Sequence, residues 1–430
     1  MENRYDKYKD SGIAWIGEIP EHWDVIKIKQ LLKNNSLKVG PFGSQLSGSD
    51  VLSDGKYWIY NQRTVLDNNF SSCNSFITHE KYNDLIGFKV NAGDILLTTR
   101  GTIGKISRVP TTFNEGVIHP CIIRFNINEN ILKYDILKYI FNDSDLVINQ
   151  VKYNSNSTTI DVIYSDTLKN IILTCIPNEE QQSIATYLDQ KCGEIDELIT
   201  LQEGMITKLQ SYKQSVITEA VTKGLDKNVP LKDSGIEWIG EIPEHWEVKR
   251  LKNVCSQINI KENSKENSLP YIGLENIESG SGRYIDTTSE VEGMANRFCK
   301  NNVLFGKLRP YLSKVYLAEK DGICSTEFIV YDTKSNNCRF IHKLLLSQAF
   351  IEVVNSSTYG AKMPRANSDF INNIYVQIPP LSEQQSIADY LDRKCSEIDE
   401  LISIKQQKIE KLKDYKKSLI FECVTGKRKV

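Results

Sequence analysis

An arginine and a lysine recur five residues apart at matching places in the two halves of the sequence. The pairs are Arg100 with Lys105 and Arg309 with Lys314, and the turn between them contains glycine or proline. An arginine can hold guanine O6 and N7 through two hydrogen bonds, and a lysine can bind a DNA phosphate. The pairs therefore indicate hairpins that read nucleic acid, although an exposed hairpin with ordinary solvated charges would show the same spacing.

Further side chains that could contact DNA lie in loops beside these pairs. Residues 39–44 form a predicted tight turn with two glycines, which lets the backbone approach a ligand closely. Residues 359–365 form a predicted loop before the last strand of the second half. Together with the hairpins, these loops give the candidate DNA-binding residues Phe42, Gly43, Ser44, Gln45, Arg63, Thr98, Arg100, Lys105, Asn276, Lys307, Arg309, Tyr311, Lys314, Lys362 and Arg365.

No catalytic or metal-binding motif is recognisable in the sequence. Residues 101–105 lack the four-residue gap and the final Ser or Thr of a phosphate-binding loop. There is no Asn/Asp-Pro-Pro-aromatic segment for methyl transfer, no glycine-rich cofactor motif after a strand, and no repeated pair of carboxylates with a lysine for a metal-dependent nuclease. Cys73, His79, His119 and Cys121 lack the paired spacing of a zinc site. We therefore predict no catalytic residue, no metal site and no cofactor bound by this chain.

Bulk charge does not indicate a nucleic-acid-binding protein. The net charge is −2, and residues 1–178 and 225–379 each contain 19 basic and 19 acidic side chains. Any DNA-binding face must therefore come from local clustering. The ten cysteines are scattered, and we find neither a signal peptide nor an apolar run that could span a bilayer. These features predict a cytoplasmic protein with free thiols and no membrane association.

Two long segments without proline are predicted to form coiled-coil helices. They cover residues 179–224 and 381–430, and a helix of this length would extend roughly 70 Å. Steps of four and three residues from Ile184 and Ile387 give mostly apolar positions, as in a coiled-coil seam, and polar residues interrupt both seams at equivalent positions. The predicted seam residues are Ile184, Leu188, Ile195, Leu198, Leu209 and Tyr212 in the first helix and Ile387, Leu391, Ile398, Leu401, Leu412 and Tyr415 in the second, with polar seam positions at Lys191, Gln202, Lys394 and Lys405.

The whole chain is an internal duplication. Residues 10–23 and 233–246 share 13 identities in 14 positions, and each copy of this start motif precedes a domain and then a long helix. The predicted segments are a first domain at 1–178, a helix at 179–224, a second domain at 225–380 and a helix at 381–430. Such a duplication favours pseudo-twofold symmetry, with antiparallel helices and one domain at each end.

Both domains are predicted to be α+β. We expect strands at 56–60, 121–127 and 171–176 in the first domain and at 269–274, 328–331 and 374–378 in the second, with the two hairpins between them and helices at 131–151 and 340–354. The start motif contains His22 and Trp23, repeated as His245 and Trp246. A catalytic histidine would need a recurring serine or cysteine partner, so we favour a structural contact of Trp and Pro with the domain or the helix.

These motifs together resemble the specificity subunit of type I restriction–modification systems. The resemblance covers nearly the whole chain and rests on Gly-Glu-Ile-Pro-Glu-His-Trp in each half, on Gly-Asp-Ile-Leu at 93–96 with Arg100-Gly and Gly-Lys105, on Leu-Phe-Gly-Lys-Leu-Arg-Pro-Tyr at 304–311, and on Glu-Gln-Gln-Ser-Ile-Ala at the start of both helices. The second domain departs from the first, since it has neither the Gly-Asp nor the Gly-x-x-Gly of the first hairpin. Contact residues therefore do not transfer between the two domains.

The resemblance implies a non-catalytic, sequence-specific DNA-binding subunit with two target-recognition domains, each of which reads one half of a split double-stranded DNA target. The helices would act as the spacer and the docking platform. Two methylation subunits would carry out adenine-N6 methylation with S-adenosylmethionine, and two restriction subunits would add ATP-dependent cleavage, so that ATP and Mg are also expected on the partners. The alternatives are a coiled-coil scaffold with duplicated protein-binding domains and no DNA role, and an autonomous nuclease or methyltransferase.

If the helices act as a spacer, a longer helix should change the target. DNA rises ~3.4 Å per base pair, and four added helical residues extend a helix by ~6 Å. Insertion of one helical turn is therefore expected to lengthen the gap between the half-sites by about one or two base pairs. Mapping methylated adenines in cells that carry the insertion measures the gap, and an unchanged gap would contradict the spacer role.

Overall fold

Each of the two long helices contributes one half to each of two compact units. The computed structural model describes residues 4–154, 162–264, 268–287, 293–358, 360 and 363–430. Unit 1 comprises Met1–Leu201 with Lys408–Val430, and unit 2 comprises Gln202–Gln407. This division differs from the segments predicted from the sequence because the long helices, Asn178–Lys223 and Leu381–Val424, pack partly with one domain and partly with the other.

Unit 1 contains a four-stranded sheet, a three-stranded sheet and two strand pairs. The four-stranded sheet has the order Lys38–Val39, Ile122–Phe125, Ile95–Thr98 and Ile106–Arg108, and all its strand pairs are antiparallel. The three-stranded sheet has the order Phe76–Ile77, Tyr57–Tyr60 and Gly116–Ile118, with the last pair parallel. The strand pairs are Tyr8–Asp10 with Glu18–Pro20 and Asp24–Lys27 with Ile172–Cys175. The hairpin predicted around Arg100 is therefore confirmed.

The shorter helices of unit 1 cover the four-stranded sheet and the loops between strands. They are Ile28–Leu31, Gln62–Leu66, His79–Asp84, Tyr134–Lys138, a π-helical turn at Tyr139–Asp143, Leu146–Asn154 and Ser165–Asn170, with short 3₁₀ turns at Gly48–Asp50 and Ile86–Phe88. The single helix predicted over 131–151 is wrong, since it breaks at Ser144, whose backbone is extended and whose hydroxyl donates to Ile140 O. A serine hydroxyl competes with the backbone in this way.

Unit 2 repeats this plan with two four-stranded sheets. One has the order Ser256–Ile258, Phe328–Asp332, Val303–Gly306 and Val315–Leu317, and the other Lys261–Asn263, Met294–Phe298, Gly322–Ser325 and Tyr271–Ile272. The strand pairs are Leu231–Asp233 with Glu241–Pro243 and Glu247–Arg250 with Tyr375–Ile378. The helices are Leu251–Val254, Cys338–Leu346, Gln348–Ser356 and Ser368–Asn373, with 3₁₀ turns at Leu274–Asn276 and Pro310–Leu312. Ser347, extended like Ser144, divides the helix predicted over 340–354.

The start motifs attach the beginning of each half to the first turn of a long helix. In unit 1, Trp23 is fully buried and donates through Nε1 to Glu180 Oε1 at 3.3 Å, and His22 Nε2 lies 2.6 Å from the same oxygen. In unit 2, Trp246 donates to Glu383 Oε2 at 3.0 Å, and His245 Nε2 lies 2.6 Å from Glu383 Oε1. The structural interpretation of this motif is therefore confirmed, and the histidines bind a helix carboxylate.

The glutamine after each of these glutamates anchors the domain to the helix. Gln181 is buried, accepts from Lys133 N at 2.7 Å and donates to Ile176 O at 2.7 Å. Gln384 makes the equivalent bonds with Asn337 N and Pro379 O. The repeated Glu-Gln-Gln motif therefore joins the start motif and the domain to one helical turn.

The long helices run antiparallel within each unit. In unit 1, Tyr187 contacts Arg428 and Asp196 contacts Lys416, whereas in unit 2 Gln202 contacts Lys405 and Lys213 contacts Asp399. None of the helices in the described part of the chain combines the length and apolar composition that a bilayer span requires.

The buried side of the helices only half matches the predicted seam. The predicted seam residues that are buried are Ile184, Leu188, Ile195, Ile387, Leu391 and Ile398. Leu209 and Leu412 are half-buried. Of the polar seam positions, Gln202 is buried and Lys405 is half-buried. The predictions for Leu198, Tyr212, Leu401 and Tyr415 are wrong, since these four side chains are exposed. The seam position that was predicted at Lys191, Leu198 and Tyr212 and at their equivalents in the second helix lies one residue later in the structure. Lys191 and Lys394 form ion pairs with Glu194 and Glu397 on the helix surface. The buried or half-buried residues at the corrected position are Cys192, Ile199, Ile206, Lys213 and Ala220, and Cys395, Ile402, Ile409, Lys416 and Cys423.

Candidate nucleic-acid interface

Four loops of unit 1 meet at one edge of its sheets. The backbone of Gly40 donates to Ile122 O, Thr99 donates to Cys121 O, and His119 donates to Tyr60 O, each within 3.0 Å. Gln62 Nε2 donates to Thr102 O at 3.2 Å and so joins the loop after Tyr60 to the hairpin turn. Residues 40–45, 61–63, 99–104 and 119–121 therefore form one continuous edge, which we call the unit 1 loop edge.

Glycine is required at Gly40, where two of these loops touch. A Cβ there would collide with the carbonyl oxygen of His119. The His119 ring accepts from Cys121 N through Nδ1, and burial lowers the pKa of this imidazole. His119 is therefore a neutral structural group of the loop edge.

Two arginines project from the unit 1 loop edge. Arg100 is exposed, and among the described residues its guanidinium has no ion-pair partner. Arg63 is also exposed, follows the capping residue Asn61 in its helix, and pairs through Nε with Asp67 Oδ2 at 3.1 Å. The structure thus places Arg63 and Arg100 on loops that are hydrogen-bonded to each other, and both retain free donors for an anionic ligand.

The predicted turn at 42–45 lies on the same edge. Gln45 N and Leu46 N donate to Phe42 O, and Gln45 Oε1 accepts from Phe42 N at 3.0 Å. Leu46 and Pro41 are buried and anchor the turn, while the side chains of Phe42, Ser44 and Gln45, and also Gly43, are exposed. The turn is therefore a fixed projection from the domain.

Two predicted contacts of unit 1 point into the domain instead. Thr98 is fully buried, and its hydroxyl accepts from Lys105 N at 3.0 Å to close the hairpin. Lys105 donates through Nζ to Asn142 O in the π-helical turn, and burial lowers the pKa of its ammonium. Both side chains therefore support the hairpin from within the domain, and a contact of either one with DNA stays a prediction.

The hairpin of unit 2 has a more constrained tip. Arg309 and Ser313 both have φ near +50°, the left-handed region that non-glycine residues adopt at a cost of about 1–2 kcal/mol each. Arg309 N donates to Pro364 O, and Ala366 N donates to Lys307 O, so the loop at 363–366 pairs with the hairpin. This pairing holds the strained tip in place.

The exposed side chains of this edge include Tyr311, Met363 and Arg365, and Lys307 and Arg309 are half-buried. Arg365 Nη2 donates to Glu327 Oε1 at 2.7 Å, which joins a third loop to the edge. We call residues 307–313, 327 and 363–366 the unit 2 loop edge. Lys362 lies outside the described residues.

Two further residues that were predicted to contact DNA in unit 2, Asn276 and Lys314, form hydrogen bonds within the domain. Asn276 is buried and accepts from Gly273 N at 2.8 Å, and Lys314 Nζ donates to Leu274 O at 2.7 Å. The lysine of each Arg–Lys pair therefore binds a backbone carbonyl of its own domain, and the arginine of each pair lies at the loop edge. For Asn276 and Lys314 a contact with DNA stays a prediction, since both already bind groups of their own domain.

His342, Gly282, Gln62 and His119 support the loop edges and were missed by the sequence analysis. His342 is buried and its Nε2 donates to Val315 O at 3.1 Å, while a Cβ on Gly282 would collide with the same carbonyl oxygen. No motif marks these residues. The positive φ of Gly282 could have been expected only from its Gly-Ser-Gly context.

Burial of His342 predicts a pH-dependent stability of unit 2. Desolvation lowers the pKa of His342 from 6.5 to about 4, with a further lowering by Lys343. Below pH 6.5 the imidazole is protonated in the unfolded state but stays neutral in the folded state. The free energy of unfolding should therefore be highest above pH 6.5 and fall by roughly 3 kcal/mol as the pH is lowered to 4. The free energy of unfolding of unit 2 can be measured at each pH by urea unfolding that is monitored through hydrogen exchange. His342→Gln should remove this component of the pH dependence, and an identical slope in the variant would contradict the assignment.

No group of three or more His, Cys, Asp or Glu side chains able to hold a metal ion occurs in the ranges that the structure describes. The edges consist instead of arginines, aromatic rings and amides, which can bind phosphates and base edges.

Comparison with known proteins identifies the family. The family model described as type I restriction modification DNA specificity domain matches residues 20–210 and 243–414. The MjaVIII specificity subunit of a type I restriction enzyme from Methanocaldococcus jannaschii is 24% identical over 96% of this chain and 94% of its own length. The EcoDI specificity subunit from Escherichia coli is 21% identical over 95% of this chain and 89% of its own length.

Solved structures share the fold. A structure reported for complex assembly and conformational transition of the type I R-M system superposes with a TM-score of 0.69 at 14% identity, covering 94% of this chain and 98% of that chain. The HsdS subunit from Thermoanaerobacter tengcongensis gives a TM-score of 0.52 at 14% identity, covering 95% and 98%. With two matched regions that span most of its length, the chain belongs to the type I restriction–modification DNA specificity family.

Proposed function

We propose that this chain is the sequence-specific DNA-binding specificity subunit of a type I restriction–modification complex. The observation that carries the proposal is that each unit presents one loop edge with two solvent-accessible arginines and one exposed aromatic ring. The two edges differ in sequence and backbone geometry, so each would read a different half of a bipartite target in double-stranded DNA. Arginine and aromatic groups suit base edges and base faces respectively.

In this proposal the chain is non-catalytic and its partners perform the chemistry. Two methylation subunits would transfer a methyl group from S-adenosylmethionine to adenine N6, and two restriction subunits would use ATP and Mg for translocation and cleavage. The complex would act on DNA in the cytoplasm.

The exposed apolar residues of the long helices support docking of the methylation subunits. Unit 1 exposes Leu198, Leu201 and Tyr415, and unit 2 exposes the equivalent residues Leu401, Ile404 and Tyr212. Apolar side chains that recur on the same helix face in both copies and remain uncovered in the free chain are typical of an interface. One such surface in each unit fits two identical methylation subunits.

Reconstitution tests the proposal directly. The chain combined with its methylation subunits and S-adenosylmethionine is expected to methylate adenines only within one bipartite sequence, which sequencing of the methylated DNA would identify. A complex that forms but shows no preference among DNA sequences would favour the scaffold alternative. Methylation or cleavage by the purified chain alone would favour the autonomous enzyme.

Arg100→Ala and Arg309→Ala should each impair recognition of one half-site. Loss of a bidentate arginine–guanine contact costs about 1–3 kcal/mol of discrimination, so the corresponding position of the target should become degenerate. Each variant is the control for the other, because the second half-site and the assembly of the complex should be unchanged. The measurement is the methylated sequence together with the mass of the complex, and loss of assembly with unchanged sequence preference would contradict the assignment.

A further inference from the structure

Each loop edge carries one exposed aromatic ring at the tip of a turn. Phe42 is 80% exposed in unit 1, and Tyr311 is 52% exposed in unit 2. Neither ring contacts another aromatic ring among the described residues. Both tips are therefore free to receive a ligand.

The backbone that supports Phe42 is fixed on three sides. Gly40 donates to Ile122 O, Leu46 is buried in the domain, and the side chain of Gln45 accepts from Phe42 N at 3.0 Å. A rearrangement of the turn that buried the ring would break these contacts. The turn therefore holds the phenyl group in solvent.

The turn that carries Tyr311 is held by different contacts, but it also keeps its ring exposed. Pro310 is buried, Leu312 N donates to Arg309 O, and Ser313 N donates to Pro310 O. The flanking residues Arg309 and Ser313 both keep a left-handed backbone, and strain of this kind is maintained where the surrounding structure fixes it for function. Two turns of different construction thus each present a ring at the loop edge of their own unit.

The surroundings of the rings indicate the ligand. Arg63 and Arg100 lie on the unit 1 loop edge, and Arg309 and Arg365 lie on the unit 2 loop edge. A ligand that offers flat apolar faces between anionic groups matches an edge that carries both an exposed ring and guanidinium groups. Stacked bases between phosphates have this pattern, and apolar side chains that insert at a base step kink the duplex by roughly 20–90°.

We propose that Phe42 and Tyr311 each insert at a base step of the half-site bound by their own domain and kink the DNA there. The proposal rests on the proposed function and adds a mode of DNA deformation to it. Part of the sequence preference of each half-site would then come from the ease of unstacking one step, since pyrimidine–purine steps unstack most easily.

Fluorescence of 2-aminopurine tests the insertion. The complex of this chain with its methylation subunits is added to duplexes of the mapped target that carry 2-aminopurine at each base step in turn. The wild type is expected to increase the fluorescence at one step in each half-site. Phe42→Ala should abolish one of these increases and Tyr311→Ala the other, with a loss of affinity of roughly 5- to 150-fold, as for loss of a stacking aromatic residue.

Matched substitutions separate insertion from general loss of apolar surface. Ile86→Ala removes an apolar side chain of unit 1 that is 53% exposed, in a turn outside the loop edge, and it should leave both signals and the affinity unchanged. Phe42→Leu keeps an apolar wedge and should retain most of the fluorescence increase. Thermal unfolding of each variant should match that of the wild type, since both rings are exposed.

Two results would overturn the insertion. One is a wild-type complex that binds and methylates its target without a fluorescence increase at any step. The other is a Phe42→Ala and a Tyr311→Ala complex with wild-type signals. Failure of the wild-type complex to prefer any DNA sequence is a different result, because it would refute the proposed function itself.

Discussion

Replacing Trp246 with alanine is expected to destabilise unit 2 by about 3–5 kcal/mol. The indole is buried in a core built from both long helices and the domain, including Ile217, Val221 and Ile387. Its Nε1 donates to Glu383 Oε2 at 3.0 Å, so the substitution also removes the bond that attaches the start motif to the helix. Hydrogen exchange of the full chain in urea, followed by mass spectrometry, reports the opening of each unit separately.

Two further variants test the cause. Trp246→Phe keeps most of the buried ring and loses the hydrogen bond, so its cost should be nearer 1–2 kcal/mol. Trp23→Ala removes the equivalent side chain of unit 1 and should destabilise that unit by an amount similar to the effect of Trp246→Ala on unit 2. A cost below about 1 kcal/mol for Trp246→Ala would show that the packing of the start motif does not stabilise the unit.

The second large effect is expected at the ion pair between the helices of unit 2. Lys213 Nζ lies 2.8 and 2.7 Å from the two carboxylate oxygens of Asp399, and the lysine side chain is only 10% exposed. Asp399→Lys would leave a buried ammonium facing a second one. We expect a loss of roughly 2–4 kcal/mol, somewhat less than for a fully buried pair because Asp399 is half exposed. Urea unfolding of unit 2 gives the free energy.

Exchange of the two charges provides the control. The double variant Lys213→Asp with Asp399→Lys restores an opposite-charge pair and should recover most of the lost stability, which a double-mutant cycle quantifies. The equivalent Asp196–Lys416 pair of unit 1 should give a smaller effect, since Lys416 is more exposed. Equal stabilities of the single and double variants would mean that the pair contributes nothing to helix pairing.

The helices show what periodicity can and cannot predict. Their existence, length and one seam position follow from the sequence, because apolar residues such as Leu188, Ile195 and Leu209 recur at multiples of seven positions. The second position was wrong because apolar residues stand next to each other at Leu198 with Ile199 and at Leu401 with Ile402. Spacing alone does not choose between such neighbours. Which neighbour is buried depends on which of the two packs against the other helix, and the second one stays exposed on the helix surface.

The loop edges show a similar limit. The exposed turn around Phe42 and the hairpin with Arg100 were predictable, since glycine, proline and alternating apolar residues mark them. The inward direction of Lys105 was not, because its carbonyl partner at Asn142 is 37 residues away and lies in a π-helical turn that no motif indicates. Long-range acceptors of this kind determine which cation of a hairpin is bound within its own domain.

The composition of unit 1 also has a consequence for the order of synthesis. Its core requires Leu419, Ile420, Cys423 and Val424, and Lys427 donates to Glu18 O at 3.0 Å. Unit 2 uses one continuous stretch, Gln202–Gln407, so all of its residues have been synthesised while the ribosome is still making the segment that unit 1 needs. The unit whose synthesis begins first is thus the last to receive its core residues, and the apolar side chains that they cover stay exposed, and open to aggregation, until then.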